Sequence, residues 1–240
     1  MQHRRASAGV TRRQLRRYFP DSRISRVIRP LPQQGVVYVK NPKAASSTIL
    51  AWLDRVHTGD LEHEFRNVHK EHRLPHFGEI GWPTVLDMLS GSAYRFTFVR
   101  HPVRRFESAY WDKIVPPTRL RSEVQRALAP ATDVFSTPTF EQFLDLVETQ
   151  DPMTEMNRHW RPQHLNVAHP LVSYDHIGRL ETFDADLERI RQEVGLPRVP
   201  VHSRNVAPSG RRDGSVYDGR PDLVRRVEQL YAKDMELYGY

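Results

Sequence analysis

The 240-residue chain has no cysteine, which excludes disulfides, thiolate metal centres and cysteine nucleophiles. It has no apolar run approaching the roughly 20 residues that span a bilayer, and its N-terminus lacks the apolar centre of a signal peptide. Together these absences lead to the expectation of a soluble, cytoplasmic protein with no transmembrane segment. Lysine is scarce: Lys40, Lys43, Lys70, Lys113 and Lys233 are the only ones, so 31 of the 36 basic residues are arginine. The net charge of +7 favours polyanions of several kinds: nucleic acid, anionic lipid at a membrane surface, acidic glycan or a nucleotide. Glycine is missing between Gly35 and Gly59, so that stretch cannot be the kinase-type loop G-x-x-x-x-G-K-[ST]. No carboxylate cluster suited to Mg²⁺ is evident, and no metal is expected.

What is present is enough for a core. Hydrophobic residues make up 38% of the chain and aromatic residues 10%, and the length favours one domain, placed at 31–240. Residues 1–30, with Arg4, Arg5, Arg12, Arg13, Arg16 and Arg17, read as a solvated basic arm. The alternative is a short amphipathic helix around Leu15, Tyr18 and Phe19. The informative stretch is 35–58. Val36-Val37-Tyr38-Val39 is a buried-strand pattern, and Asn41-Pro42 ends it. Lys43 then precedes the small residues Ala44, Ala45, Ser46, Ser47 and Thr48. An amphipathic run follows with Ile49, Leu50, Trp52, Leu53 and Val56. A strand, a tight turn and a helix start suit a phosphate, because the first helical N–H groups and the helix dipole point at it. An ordinary strand-to-helix turn with an exposed lysine is the plain alternative.

A second strand-to-helix junction lies at 94–114. Tyr94 to Val99 alternates as a strand, Arg100-His101-Pro102 follows, and a helix runs through Phe106, Ala109, Tyr110 and Ile114. Arg100 sits at the strand's carboxyl end, where open α/β sheets hold ligands, and Ser108 lies about two helical turns on. An arginine fork and a hydroxyl there suit a second phosphate; a structural ion pair for Arg100 is the alternative. Elsewhere the pattern predicts a helix after Pro83 closed by Gly91, a loop or lid over 115–138, and a helix from Thr139 with a capping box to Gln142. It further predicts a strand over 171–177, a helix from Glu181-Thr182 to Gly195, and a terminal helix from Pro221. Strands alternating with helices indicate an α/β fold with a mainly parallel sheet.

Pro-Lys-x-x-Ser-x-Thr at 42–48 resembles the 5′-phosphosulfate loop of sulfotransferases that use 3′-phosphoadenosine-5′-phosphosulfate (PAPS). Phe-Val-Arg-x-Pro-x-x-Arg-x-x-Ser-x-Tyr, Phe98 to Tyr110, resembles their 3′-phosphate segment. HWRPQ at 159–163, YDHIGRLET at 174–182 and YAKDMELYGY at 231–240 resemble the carbohydrate branch, which includes chondroitin 4-sulfotransferases. The resemblance covers about Val36 to the C-terminus and implies a P-loop-like, three-layer α/β/α fold. It implies that Lys43 meets the oxygen bridging the sulfuryl group and 5′-phosphate, that Ala44, Ala45, Ser46, Ser47 and Thr48 hold the 5′-phosphate, and that Arg100 and Ser108 hold the 3′-phosphate. No metal is needed in that family. A base between the two segments is implied as well: His69 first, then His72, with His63, Glu64 and His76 close by. The implied acceptor is a hydroxyl on a glycan or glycolipid, so contact with a membrane surface stays open.

Several residues carry two readings. His159 and Trp160 line an acceptor cleft, or Trp160 belongs to the core. Asn205, Ser209, Arg211 and Arg212 form a basic loop that closes over the nucleotide, meets an anionic acceptor, or is simply solvated. Glu181 is read as structural. Competing functions are a phosphate-loop kinase, disfavoured by the missing G-K-[ST] and acidic metal ligands, and a basic nucleic-acid-binding protein, for which no motif speaks. Nucleic acid is therefore not expected as a partner. The acceptor's identity and the oligomeric state are not encoded in these motifs.

Overall fold

The computed structural model describes residues 9–129, 136–201 and 214–240. In chain order the elements are α1 (Arg12–Leu15), α2 (Asp21–Val27), β1 (Ile28–Leu31), β2 (Val36–Val39), α3 (Ser46–Thr58), α4 (Val68–Glu71), α5 (Phe77–Ile80), α6 (Trp82–Asp87), β3 (Tyr94–Val99), α7 (Pro102–Lys113), α8 (Arg119–Leu128), α9 (Phe140–Thr149), α10 (Gln163–Asn166), β4 (His176–Arg179), α11 (Phe183–Val194), α12 (Pro221–Leu230) and α13 (Ala232–Tyr238). They pack as two compact units. The first is built from the described residues of 1–99 and 163–205, the second from those of 100–162 and 206–240.

The first unit contains the sheet, in the order β1-β2-β3-β4. β2 is parallel to β3 and β3 to β4, while β1 runs antiparallel to β2. Side chains alternate across a strand, and both faces are covered. Val36, Tyr38, Phe96 and Phe98 meet Ile49, Leu50, Trp52 and Leu53 of α3 and Leu187 and Ile190 of α11. On the other face, Ile28, Val37 and Val39 meet Leu15, Ile24, Val85, Met88, Leu89, Val167 and Val172. This is the expected α/β fold, a mainly parallel sheet between two helical layers.

Three expectations need correction. From residue 9 onward the basic arm is folded: Leu15 and Ile24 are fully buried, and Asp21 neutralises Arg12 at 3.2 Å and Arg16 at 2.6 Å. The apolar residues spaced between the arginines drive this, burying one face and leaving the charges outside. Residues 28–31 form a strand despite Pro30, because β1 is an edge strand and an edge tolerates a missing N–H. The strand expected at 171–177 is displaced to 176–179. The Asp175 carboxylate accepts from the Arg95 backbone N–H at 2.8 Å and pairs with its guanidinium at 3.0 Å. Regular β3–β4 pairing therefore starts only at Phe96 and His176.

In the second unit α7, α9 and α12 enclose Phe106, Phe140, Phe143, Trp160, Val227 and Tyr231. Phe106 and Phe143 stack with ring centroids 5.0 Å apart. The expected loop at 115–138 contains α8, capped by Thr118, whose side chain accepts from the Arg121 N–H. Its apolar positions Leu120, Val124 and Leu128 recur every four residues and pack on this core, a periodicity masked by the surrounding arginines. The capping box at Thr139 and Gln142 and the left-handed Gly195 after α11 occur where expected.

β4 has one position that admits no side chain. A Cβ on Gly178 would lie 2.6 Å from the Phe98 ring, and Phe98 is fully buried. Gly178→Ala is expected to cost about 1–3 kcal/mol by overpacking, read by urea denaturation. In the Phe98→Leu background the same substitution should cost markedly less, because the ring it meets is gone; an equal cost in both would rule out this clash.

Candidate active site

The turn between β2 and α3 departs from ordinary backbone geometry. Lys43 has φ 69° and Ala45 φ 55°, both left-handed, a region that costs a non-glycine residue roughly 1–3 kcal/mol. Left-handed residues alternating with ordinary ones turn successive N–H groups toward one side, forming a concavity for an anion. Ala45 is also the N-cap of α3 and supplies no side-chain hydrogen bond to the first turn. A serine or aspartate there would cap those donors; alanine leaves that role to a ligand. Ala44 is fully buried, Lys43 and Ser46 half-buried. The α3 interior is strongly apolar, so the strained turn is held by a well-anchored helix.

A buried amide holds the turn from behind. Asn41, fully buried, donates from Nδ2 to the Phe98 carbonyl at 3.0 Å and to Gln163 Oε1 at 2.9 Å. Thr97 Oγ1 donates to the Val39 carbonyl at 2.7 Å. The carboxyl ends of the parallel strands β2 and β3 are thereby clamped together. The sequence reading used Asn41 only as a strand stop and Gln163 only as part of a motif. Their signals were an Asn-Pro at a strand end and a Gln within the donor-rich stretch NRHWRPQHLN, neither of which names its partner.

His69 lies beside the turn. Its Nε2 is 3.1 Å from Ser47 Oγ in the first turn of α3, and the Asn67 side chain accepts from its backbone N–H at 3.1 Å. His72 ends the same short helix but has a different environment. Burial, then the nearby Arg29 and Lys40 cations, push its pKa down to about 4. The segment is pinned to α3 by Asp54, whose fully buried carboxylate accepts from the Arg73 N–H at 2.5 Å and its guanidinium at 2.7 Å. His63 instead packs edge-on against Phe65, and Glu64 is exposed. Of the histidines proposed from sequence, His69 is the one that meets Ser47 of the first turn of α3.

Arg100 and Ser108 belong to the second unit. Arg100 follows the end of β3 and is half-buried; Ser108, also half-buried, lies on α7. By helix rise it is about 9 Å along the axis from Pro102. On the same helix Arg105, 1% exposed, donates to the carbonyls of Arg161 at 2.9 Å and Arg158 at 3.0 Å. The Tyr231 hydroxyl donates to the Trp160 carbonyl. Trp160 itself is core: it is 3% exposed, packs edge-on against Phe143 and donates from Nε1 to Gln150. The basic loop with Asn205, Ser209, Arg211 and Arg212 lies outside the described residues. Just after it, Ser215 Oγ and the Val216 N–H donate to Glu107 of α7. Among the described residues no group of three His, Asp or Glu is arranged to hold a metal ion, and no helix is long and apolar enough to cross a membrane.

Residues 28–240 match the family model described as Sulfotransferase family. The chain belongs to that family. Among curated proteins it is 30% identical over 171 residues to carbohydrate sulfotransferase 12 of Xenopus laevis, covering 61% of this chain and 40% of that protein. It is 32% identical over 159 residues to carbohydrate sulfotransferase 14 of Homo sapiens, covering 61% and 42%. Carbohydrate sulfotransferase 11 of Mus musculus is 24% identical over 158 residues, covering 62% and 43%. The chain thus spans about two fifths of the length of these relatives. No solved structure gives a significant match. Both the family resemblance read from the motifs and the α/β fold it implied are thereby established for this sulfotransferase-family chain.

Asn41→Ala removes both clamp bonds and leaves the Phe98 carbonyl and Gln163 amide buried without this donor. It is expected to cost about 2–3 kcal/mol, measured by denaturant unfolding. A loss below about 0.5 kcal/mol would show that the clamp does not hold the strand ends.

Proposed function

We propose that the chain moves the sulfuryl group of PAPS to a hydroxyl on a carbohydrate or glycoconjugate, by in-line displacement with release of adenosine 3′,5′-bisphosphate (PAP). The observation that carries this reading is the strained, uncapped turn at 43–45 opening α3, in a chain whose curated relatives are named carbohydrate sulfotransferases. PAPS, when bound, supplies an activated sulfuryl group with a phosphate leaving group. Lys43 and the N–H groups of Ala44, Ala45, Ser46, Ser47 and Thr48 would hold the 5′ end, and Arg100 and Ser108 the 3′-phosphate. Fixed donors and a lysine stabilise charge where it develops, without needing to reorganise.

The acceptor hydroxyl needs a base, and the two histidine candidates separate on chemistry. His72, at a pKa of about 4, is neutral at pH 7 but a poor proton acceptor, since general-base efficiency favours a pKa near the working pH. His69 is exposed and in hydrogen-bond range of Ser47. That position favours it as the group that takes the acceptor's proton, with Ser47 orienting the ring.

PAP at about 100 times its dissociation constant should stabilise the protein by about 2.7 kcal/mol, roughly 5–10 °C in Tm for a chain of this size. ATP with Mg²⁺ should shift it much less. Equal shifts, or none with PAP, would count against sulfuryl transfer and reopen the kinase alternative. His69→Ala should lower turnover by about 10²–10⁴-fold while the PAP shift is retained. Near-normal turnover would remove His69 from the mechanism.

A further inference from the structure

Asp54 is a carboxylate set fully buried in the otherwise apolar middle of α3. Burying a charge is costly unless it is both paired and hydrogen-bonded. Arg73 meets both needs with three donors: its backbone N–H at 2.5 Å, Nη2 at 2.7 Å and Nε at 3.3 Å. The same guanidinium reaches Asp60 at 2.8 Å and Thr58 Oγ1 at 3.3 Å, so it lies across the last turn of α3.

Asp54 follows Ser47 by two helical turns, so the two share one face of α3 and stand about 10 Å apart along its axis. The segment opposite matches that spacing. From His69 the chain takes two helical steps to Glu71, then runs extended through His72, the C-cap, to Arg73, which also spans about 10 Å. His69 therefore meets Ser47 at 3.1 Å while Arg73 meets Asp54. A four-residue helix such as α4 is too short to fix its own position. Val68 and Leu74 seal the segment onto the core that α3 builds, but apolar contact has no direction and leaves sliding along α3 open. A forked pair between charges fixes register. His69 itself is exposed, so its ring stands where α4 is placed.

We propose that Asp54 and Arg73 are positioning residues for the transfer: their ion pair sets the register of α4 along α3 and so holds the His69 imidazole at Ser47. The consequence for turnover rests on the sulfotransfer reading with His69 as base; the placement of the ring rests on the contacts alone. Neither residue touches the reacting atoms. Their effect passes through the geometry of the base, where a shift of about 1 Å is enough to cost about 10²-fold in rate.

The test uses the full chain. NMR of the His69 ring nitrogens reads the contact directly, and Ser47→Ala supplies the signal of a ring released from it. Arg73→Ala should move the His69 Nε2 signal toward that of Ser47→Ala, Arg73→Lys should restore part of the wild-type value, and Asp60→Asn should leave it unchanged. With PAPS and unsulfated chondroitin, Arg73→Ala should lower kcat by about 10²-fold while PAP affinity is retained. In the His69→Ala background it should lower turnover by no more than about twofold. Asp54→Asn keeps an oxygen for the Arg73 N–H but loses the charge; it should fall between wild type and Arg73→Ala, and it carries the test should Arg73→Ala not fold. A His69 signal that ignores both variants overturns the placement. A PAP affinity that falls together with kcat also overturns it, because the damage then reaches the turn at 43–45. An equal further loss in His69→Ala does the same, because the effect then bypasses the base. Failure of PAP to bind wild type would sink the sulfotransfer reading instead, and a His69 signal that still follows Arg73 would support the placement.

Discussion

The Asn41 side chain fixes the working edge of the sheet. Parallel strands joined by helical crossovers have no hairpin to hold their ends in register. β2 and β3 end side by side, and each is followed by a sharp change of direction. Two hydrogen bonds from one buried amide, to the Phe98 carbonyl and to Gln163, replace the missing rung. Gln163 begins the segment that returns the chain from the second unit to the first. The same contact thus also fixes where that return occurs. With the strand ends held, the turn at 43–45 can stay in a backbone region that alanine and lysine otherwise avoid.

Much of this was legible in the sequence, and the reasons differ from place to place. β2, β3 and α7 were readable because apolar periodicity and proline placement agreed locally with the fold. The turn from β2 into α3 was readable because Asn41-Pro42 ends the strand and small residues precede an amphipathic run. β1 was hidden by Pro30, whose cost vanishes only when the strand is known to lie at an edge. β4 was misplaced because Leu171 and Val172 look like strand residues. The event that delays pairing, Asp175 closing on Arg95, is a contact across 80 positions that no local pattern contains. The folded part of the N-terminal segment was obscured by its arginines, whose charge suggested a solvated tail while Leu15, Phe19 and Ile24 entered the core.

The histidines show how much chemistry depends on surroundings. His69 and His72 are equivalent as letters, three positions apart, one on α4 and the other at its C-cap. The fold turns one toward a serine hydroxyl and leaves it in water, and it half-buries the other near two cations. An imidazole held near a pKa of 4 has given up its role as a proton acceptor near neutrality. Sequence could nominate both; only burial and charge could separate them.

Several costs in the first unit lie near one edge of the sheet: the left-handed Lys43 and Ala45, the uncapped start of α3, and the buried Arg29, on which no carboxylate acts. Scattered over a protein, such features would simply subtract from stability. Gathered along the carboxyl end of β2 and its edge neighbour, they share one chemical character, since each is a donor or a positive charge wanting an acceptor. A phosphate at the turn would satisfy the uncapped start of α3. The strain of those two left-handed residues would then be offset by affinity for an anion, and by discrimination against a molecule that lacks the charge.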